Sequence, residues 1–140
     1  MLFTPEDEKQ IIEAIRLAET MSTGEIRVHL DQKLEGDPLA KAQEIFYKIG
    51  MDKTKDKNGI LFYVSENRKQ VAVIGDQNIH TYVKQAFWDQ ILNEIVSDFK
   101  NGFYKEGLTK AINKTGIKLK KYFPHNGKTI KNELPDEISR

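Results

Sequence analysis

The sequence contains no cysteine, and that absence removes disulfides, thiolate zinc sites and cysteine nucleophiles together. Charge of one sign is missing too. Its 22 lysines and arginines face 21 aspartates and glutamates, for a net charge of +1. That balance provides no electrostatic footprint for nucleic acid, and the aromatic and basic patterns of RNA and DNA modules do not occur. The longest apolar run, Ile60 to Val64, falls far short of the ~20 residues of a spanning helix, so no transmembrane segment is expected. The opening stretch Leu2-Phe3-Thr4-Pro5-Glu6-Asp7-Glu8 is acidic where a secretory signal would be basic and then apolar, which makes the cytoplasm the expected location. There is no Gly-x-Ser-x-Gly elbow around any serine and no Gly-x-x-x-x-Gly-Lys phosphate loop. Internal repeats and low-complexity segments are absent as well.

What is present describes one globular domain. At 140 residues the chain can bury a core without a disulfide or structural metal. Its 39% hydrophobic and 31% charged residues are those of an ordinary water-soluble protein.

The apolar periodicity alternates between helix and strand. Thr4-Pro5-Glu6-Asp7 reads as a helix start, with a hydroxyl cap, proline at the first helical position and carboxylates at the positive end of the dipole. Ile11, Ile12, Ile15 and Ala18 continue it at helical spacing, with Gly24 as the expected stop. Glu25 to Asp31 then alternates with period two, so Ile26, Val28 and Leu30 share one face of a strand. Asp37-Pro38 opens a second amphipathic helix that ends near Gly50. Met51 to Asn58 reads as a charged loop. Gly59 to Val64 is apolar on both faces, as a central strand should be. Ser65-Glu66-Asn67-Arg68 is a polar turn in which Asn67 can accept positive φ, and Gln70 to Ile74 returns as the second arm of a hairpin. Two further helices follow, one carrying Phe87, Trp88, Ile91, Ile95 and Phe99, the other running from Tyr104 to Tyr122 beyond the break at Gly102. Residues 124–140 carry little apolar content and read as a C-terminal tail. The order helix, strand, helix, strand, strand, helix, helix predicts an α/β domain, a helix/sheet/helix sandwich around a mixed sheet.

Four stretches resemble the TPM domain family, the thylakoid-lumen phosphatase-like fold. Thr23-Gly24-Glu25-Ile26 is similar to the family's small-Gly-Glu entry to its first strand. Asp56-Lys57-Asn58-Gly59-Ile60-Leu61 is similar to its Asn-Gly opening of the central strand, and Val73-Ile74-Gly75-Asp76 to the exit from the third. Phe99 to Leu108 resembles its Phe-x-x-Gly-x-Tyr-x-x-Gly-Leu segment. Asn78 stands where the family often has a second glycine, and Phe103 where an acidic residue is common. The resemblance covers residues 5–123 and implies a TPM-like domain over 1–123, in a stand-alone cytosolic bacterial member. It also implies divalent-cation binding in some members, weak phosphatase activity in some plastid relatives, and accessory roles beside membrane machinery.

Topology places the candidate site. If the first two strands are parallel and the third runs back along the second, Glu25, Asp56 with Asn58, and Asp76 meet at one edge of the sheet. Three carboxylates and an amide oxygen there would suit a hard cation, Ca²⁺ or Mg²⁺, with Gly24, Gly59 and Gly75 allowing close backbone approach. A metal so held could clamp a phosphate oxygen. The same residues have plainer uses: Asp76 as a helix N-cap, Asp56 and Asn58 in a solvated turn, Glu25 beside a surface lysine. The loop from Asp52 to Gly59 fails the EF-hand test, since its glycine is misplaced and a strand follows. His29, His80 and His125 show no metal spacing and are expected at the surface. Asp31 is the one carboxylate at the far end of a parallel strand, and Gln32-Lys33-Leu34 adds no phosphotransfer motif. Phe87 and Trp88 are expected in the core. The lysines near the end of the last helix suit its negative terminus.

The function expected from these features is a divalent-cation (Ca²⁺ or Mg²⁺) binding module with an accessory or interaction role and an unidentified protein partner. The alternative is a weak metal-dependent phosphatase acting on phosphomonoesters. No catalytic nucleophile or base can be named.

Overall fold

The computed structural model of the protein describes residues 2–125 and 138–140. Helix α1, Pro5–Glu19, starts on the expected cap. Thr4 Oγ1 accepts from the Asp7 N–H and Asp7 Oδ2 accepts from the Thr4 N–H, both at 3.0 Å, so two orphan donors are satisfied reciprocally. The helix stops at Glu19, short of Gly24, whose role lies elsewhere. Asp37 caps α2, Pro38–Lys48, through the Ala40 N–H at 3.0 Å.

Strands β1 (Glu25–Asp31), β2 (Gly59–Ser65) and β3 (Gln70–Gly75) form a sheet in the order β1-β2-β3. The first pair is parallel, with Glu25 opposite Gly59 and Asp31 opposite Ser65. The second is antiparallel, with Ile60 opposite Gly75 and Ser65 opposite Gln70. The starts of β1 and β2 and the finish of β3 therefore share one end of the sheet, as the sequence predicts. The hairpin departs from expectation in one detail. Positive φ falls on Lys69 (51°), not Asn67, because the Asn67 amide is engaged instead: its Oδ1 accepts from Ser65 Oγ at 2.7 Å and from the Leu34 N–H at 3.2 Å.

Every residue of β2 is buried, and the sheet divides two cores. Ile26, Val28, Leu30, Ile60, Phe62 and Val64 face Ile11 and Ile15 of α1, Trp88, Ile91 and Ile95 of α3 (Gln77–Lys100), and Leu108, Ile112 and Leu119 of α4 (Tyr104–Tyr122). Leu61, Tyr63 and Ala72 point the other way, onto Ala42, Ile45 and Phe46 of α2 and onto Met51. Met51 opens a single 3₁₀ turn, Met51–Lys53, in the loop expected to be merely charged. Each large side chain so buried contributes roughly 1.5–3 kcal/mol.

Helix α3 is broken at Lys84, whose φ of 66° and ψ of 172° are not helical. The second piece carries Trp88, buried as expected, and Phe87, half-buried against the same core. The α3–α4 junction accounts for the Phe-x-x-Gly-x-Tyr-x-x-Gly-Leu segment. Gly102 takes a φ of 79°, a left-handed turn that favours glycine. The Phe99 and Tyr104 rings meet edge to face at 5.2 Å, a Cβ on Gly107 would stand 2.9 Å from Asp98 Cβ, and Leu108 is fully buried. The motif builds a helical corner. Among the described residues no helix is long and apolar enough to cross a membrane.

Residues 138–140, within the stretch read as a tail, return to the sheet. The Ser139 N–H donates to Val28 O at 3.0 Å and the Leu30 N–H donates to Ser139 O at 2.8 Å. Ser139 thus pairs in parallel with His29 on the outer edge of β1.

Candidate functional site

The end of the sheet where β1 and β2 begin holds the residues singled out from the sequence. Asn58 is fully buried, and its Nδ2 donates to Thr23 Oγ1 at 3.2 Å. That hydroxyl in turn donates to Asp56 Oδ2 at 2.6 Å. Asn78, standing where the family often has glycine, donates from Nδ2 to the Asp56 carbonyl at 2.9 Å and from its N–H to the Lys57 carbonyl at 3.0 Å. Asp76 ties β3 to β2 by donating its N–H to Gly59 O at 2.8 Å. It also caps α3, its Oδ1 accepting from the Gln77 N–H at 2.7 Å. Glu25 is buried at the first position of β1, with 4% of its surface exposed, rather than lying at the surface.

The topology thus assembles Asp56 and Asn58 into one hydrogen-bonded group, with Glu25 and Asp76 at the same end of the sheet. Among the described residues no three His, Asp or Glu side chains are grouped to hold a metal ion. The donor set that could receive a cation is instead a set of orphaned oxygens. Asn58 Oδ1, Asp76 Oδ2 and Asp52 Oδ1 are buried with no hydrogen-bond partner among the described residues, and each such acceptor costs about 1–3 kcal/mol unless something supplies the missing contact. Their chemistry, amide and carboxylate oxygen, fits a hard cation.

The glycines at this end are explained by packing. A Cβ on Gly75 would stand 2.2 Å from Trp88 Cζ2, and one on Gly24 2.6 Å from Leu119 Cδ2. At Gly59 it would meet Met51 O at 3.1 Å. The side chains of Leu119 and Trp88 occupy the space that sequence reasoning reserved for a ligand.

The opposite end of the sheet carries a second polar group that sequence reasoning missed. His29, expected at the surface, is 4% exposed. Its ring stacks on Tyr63 with centroids 6.0 Å apart. Nδ1 lies 2.8 Å from Ser139 Oγ and Nε2 3.4 Å from Asp31 Oδ1. The carboxylate favours a proton on Nε2, which leaves Nδ1 to accept from the serine hydroxyl. Asp31 Oδ2 also accepts from the Tyr63 hydroxyl at 2.6 Å. Burial, opposed by Asp31, lowers the His29 pKa. Burial and then Asp31 raise that of Tyr63 far above the ordinary phenol value. Hydroxyl, imidazole and carboxylate follow in the order of a serine hydrolase relay. Here, however, the serine is held in strand pairing by its own N–H and C=O, an arrangement that anchors a segment. The signal available in the sequence was slight: the period-two alternation puts His29 and Asp31 on one face, but nothing marks Ser139 as their neighbour. Glu19 was also missed; its Oε2 accepts from the Ile26 N–H at 2.7 Å and so closes part of the β1 edge.

Comparison with known proteins agrees with this architecture. None of the curated proteins matches the sequence. Among solved structures, the chain is similar to the BA42 protein from the psychrophilic bacterium Bizionia argentinensis, with 42% identity and a TM-score of 0.85 over 98% of this chain and 94% of that one. The N-terminal domain of a P. gingivalis protein shares 19% identity and a TM-score of 0.73, covering 89% of this chain and 83% of that one. The N-terminal domain of the cg2496 protein from Corynebacterium glutamicum shares 15% and 0.68, covering 95% and 83%. These last two show the fold alone. The TPM domain model matches residues 1–117, and with the four motifs lying on the strand ends and the helical corner described above, the chain belongs to the TPM domain family.

Proposed function

We propose that this TPM domain binds a divalent cation, Ca²⁺ or Mg²⁺, at the end of the sheet where β1 and β2 begin, and serves as an accessory or interaction module rather than an enzyme. The observation that carries the reading is the fully buried Asn58, whose Oδ1 has no donor among the described residues while its Nδ2 is fixed by Thr23. A hard cation satisfies such an oxygen as a hydrogen-bond donor would. Asp56 and Asp76 supply negative charge at the same end, and Glu25 does so from β1. Catalysis finds less support, since Asp76 and Asp56 are engaged in capping and in the Thr23 hydrogen bond.

Titration with Ca²⁺ and with Mg²⁺, followed by amide resonances, tests the reading. Shifts are expected in residues 24–26, 56–60 and 74–78, and Asn58→Leu should weaken binding at least about tenfold, the equivalent of ~1.4 kcal/mol. Still amides in those three stretches would end the proposal. A phosphomonoester assay on wild type and Asp76→Ala decides the enzymatic alternative. Metal-dependent hydrolysis abolished by the substitution would replace the module reading with a phosphatase.

A further inference from the structure

We propose that the outer edge of β1 is a peptide-docking site that Ile138–Arg140 fills in cis. From a partner protein it accepts an extended segment presenting an apolar residue, a serine or threonine, and a basic residue in succession. β1 stands at one side of the sheet, so its outward N–H and C=O groups are a template for another strand. Ser139 uses that template in both directions, donating to Val28 O and accepting from the Leu30 N–H. Alternate side chains of a paired segment point to opposite faces, and here each finds a receptor of its own chemistry. The Ser139 hydroxyl meets the buried His29 imidazole. Ile138 packs against the larger core. Arg140 pairs with Glu8 of α1 and lines a recess of about 330 Å³ together with Glu66, Gln32 and Asn67.

An edge that needed only to be covered could be closed by any apolar segment. This one offers an imidazole to a hydroxyl and carboxylates to a cation, which is a basis for selecting sequence. Among the described residues, two backbone hydrogen bonds hold the cis segment at about 1 kcal/mol each, beside the Ser139–His29 contact and the packing of Ile138; Arg140 is 55% exposed, so its ion pair adds little. Covalent connection makes docking intramolecular, with an effective concentration on the order of millimolar. Among the described residues the cis segment bridges β1 at His29. A partner segment with the same side chains competes with it for the Val28 carbonyl and the Leu30 N–H.

The test uses the full chain carrying Ser139→Pro, which removes the N–H and the hydroxyl together. Relative to wild type, the Leu30 amide and the His29 ring resonances should move while those of β2 and β3 stay. A capped synthetic peptide with Ile-Ser-Arg at its centre, added to about 1 mM, should return them toward their wild-type positions. Peptides with aspartate for the isoleucine, or glutamate for the arginine, should bind at least about tenfold more weakly. Should Ser139→Pro fail to fold, Ile138→Asp provides the undocked chain with its backbone donor intact. Residues 26–31 unmoved by the peptide, or equal binding of all three peptides, would overturn the proposal. So would a concentration-dependent wild-type dimer in which Ser139 of one copy contacts Leu30 of another, which would give the edge to a second copy.

Discussion

The two ends of the β-sheet are built from similar residue types and treat their polar groups differently. Where β1 and β2 begin, Thr23, Asp56, Asn58 and Asn78 form a linked set, but Asn58 Oδ1, Asp76 Oδ2 and Asp52 Oδ1 are left buried without donors among the described residues. Where those strands finish, Asp31 takes the Tyr63 hydroxyl and stands beside His29, while Asn67 Oδ1 takes Ser65 Oγ and the Leu34 N–H. The Asp31 and Gln32 carbonyls accept from the N–H groups of Glu66 and Asn67. Among the described residues Gln70 Oε1 is an orphan there. A nearly closed network fixes one conformation and leaves few polar atoms there for a cation to satisfy. A buried acceptor without a donor means that whatever supplies its missing contact is rewarded. The first end is therefore the candidate for a cation, and the second for holding a segment of chain.

The largest effect that separates these readings is expected at Gly75. If that glycine served a ligand, Gly75→Ala would leave stability alone and abolish the cation response. The Trp88 ring, 2.2 Å from the added Cβ, instead predicts an overpacked core and a loss of about 3 kcal/mol. Denaturant unfolding followed by fluorescence of the single tryptophan reads it directly. A variant as stable as wild type would return the glycine to the ligand.

A smaller effect distinguishes the second end. Burial holds the His29 pKa below its ordinary value of about 6.5, against the pull of Asp31, and Arg27 and Lys48 lower it further. The unfolded chain then binds this proton more readily than the folded one. The contribution to stability is complete above about pH 6.5 and is lost as the pH falls below that value toward the lowered folded one. One proton allows a slope no steeper than about 1.4 kcal/mol per pH unit. His29→Gln should flatten the pH dependence of the unfolding free energy just below neutrality, where carboxylates titrate little. Parallel curves for wild type and variant would show that His29 takes up its proton equally in both states.

How far each end was legible in the sequence follows from the range of the interactions that build it. Strand β1 shows in its own alternation and β2 in its unbroken apolar run. Together with the hairpin turn they bring Glu25, Asn58 and Asp76 to one end by topology alone. The reason for Gly24 and Gly75 was not legible, because Leu119 and Trp88 arrive from other elements and no local pattern records a contact distance. His29 read as a surface residue because its cover comes from Ser139, across a sequence separation of 110 residues. The stretch around that serine is too polar to announce burial. Asn67 looked suited to positive φ, but hydrogen bonds to Ser65 and Leu34 hold its amide and pass the left-handed position to Lys69.

Lys69 provides the finest test of the contrast, because the first end has its counterpart. Lys57 and Lys69 both have a φ of 51°, a conformation that costs a side-chain-bearing residue roughly 1–2 kcal/mol and glycine almost nothing. Lys69→Gly gives up a cation–π contact with Tyr104 at 5.6 Å, worth about 0.5 kcal/mol where exposed, and gains chain entropy in the unfolded state. The net expectation is a stabilisation of about 0.5 kcal/mol. Lys57→Gly relieves the same backbone strain but removes the Nζ donor to the Asp52 carbonyl at 2.5 Å, a charge-assisted hydrogen bond worth about 1.5 kcal/mol, so it should destabilise by about 0.5 kcal/mol. The difference between the two variants measures what the lysine adds to the loop that carries Asp52, Asp56 and Asn58. Equal gains in both would mean that this loop is held without Lys57, and the first end would then be as loosely tied as its unsatisfied oxygens allow.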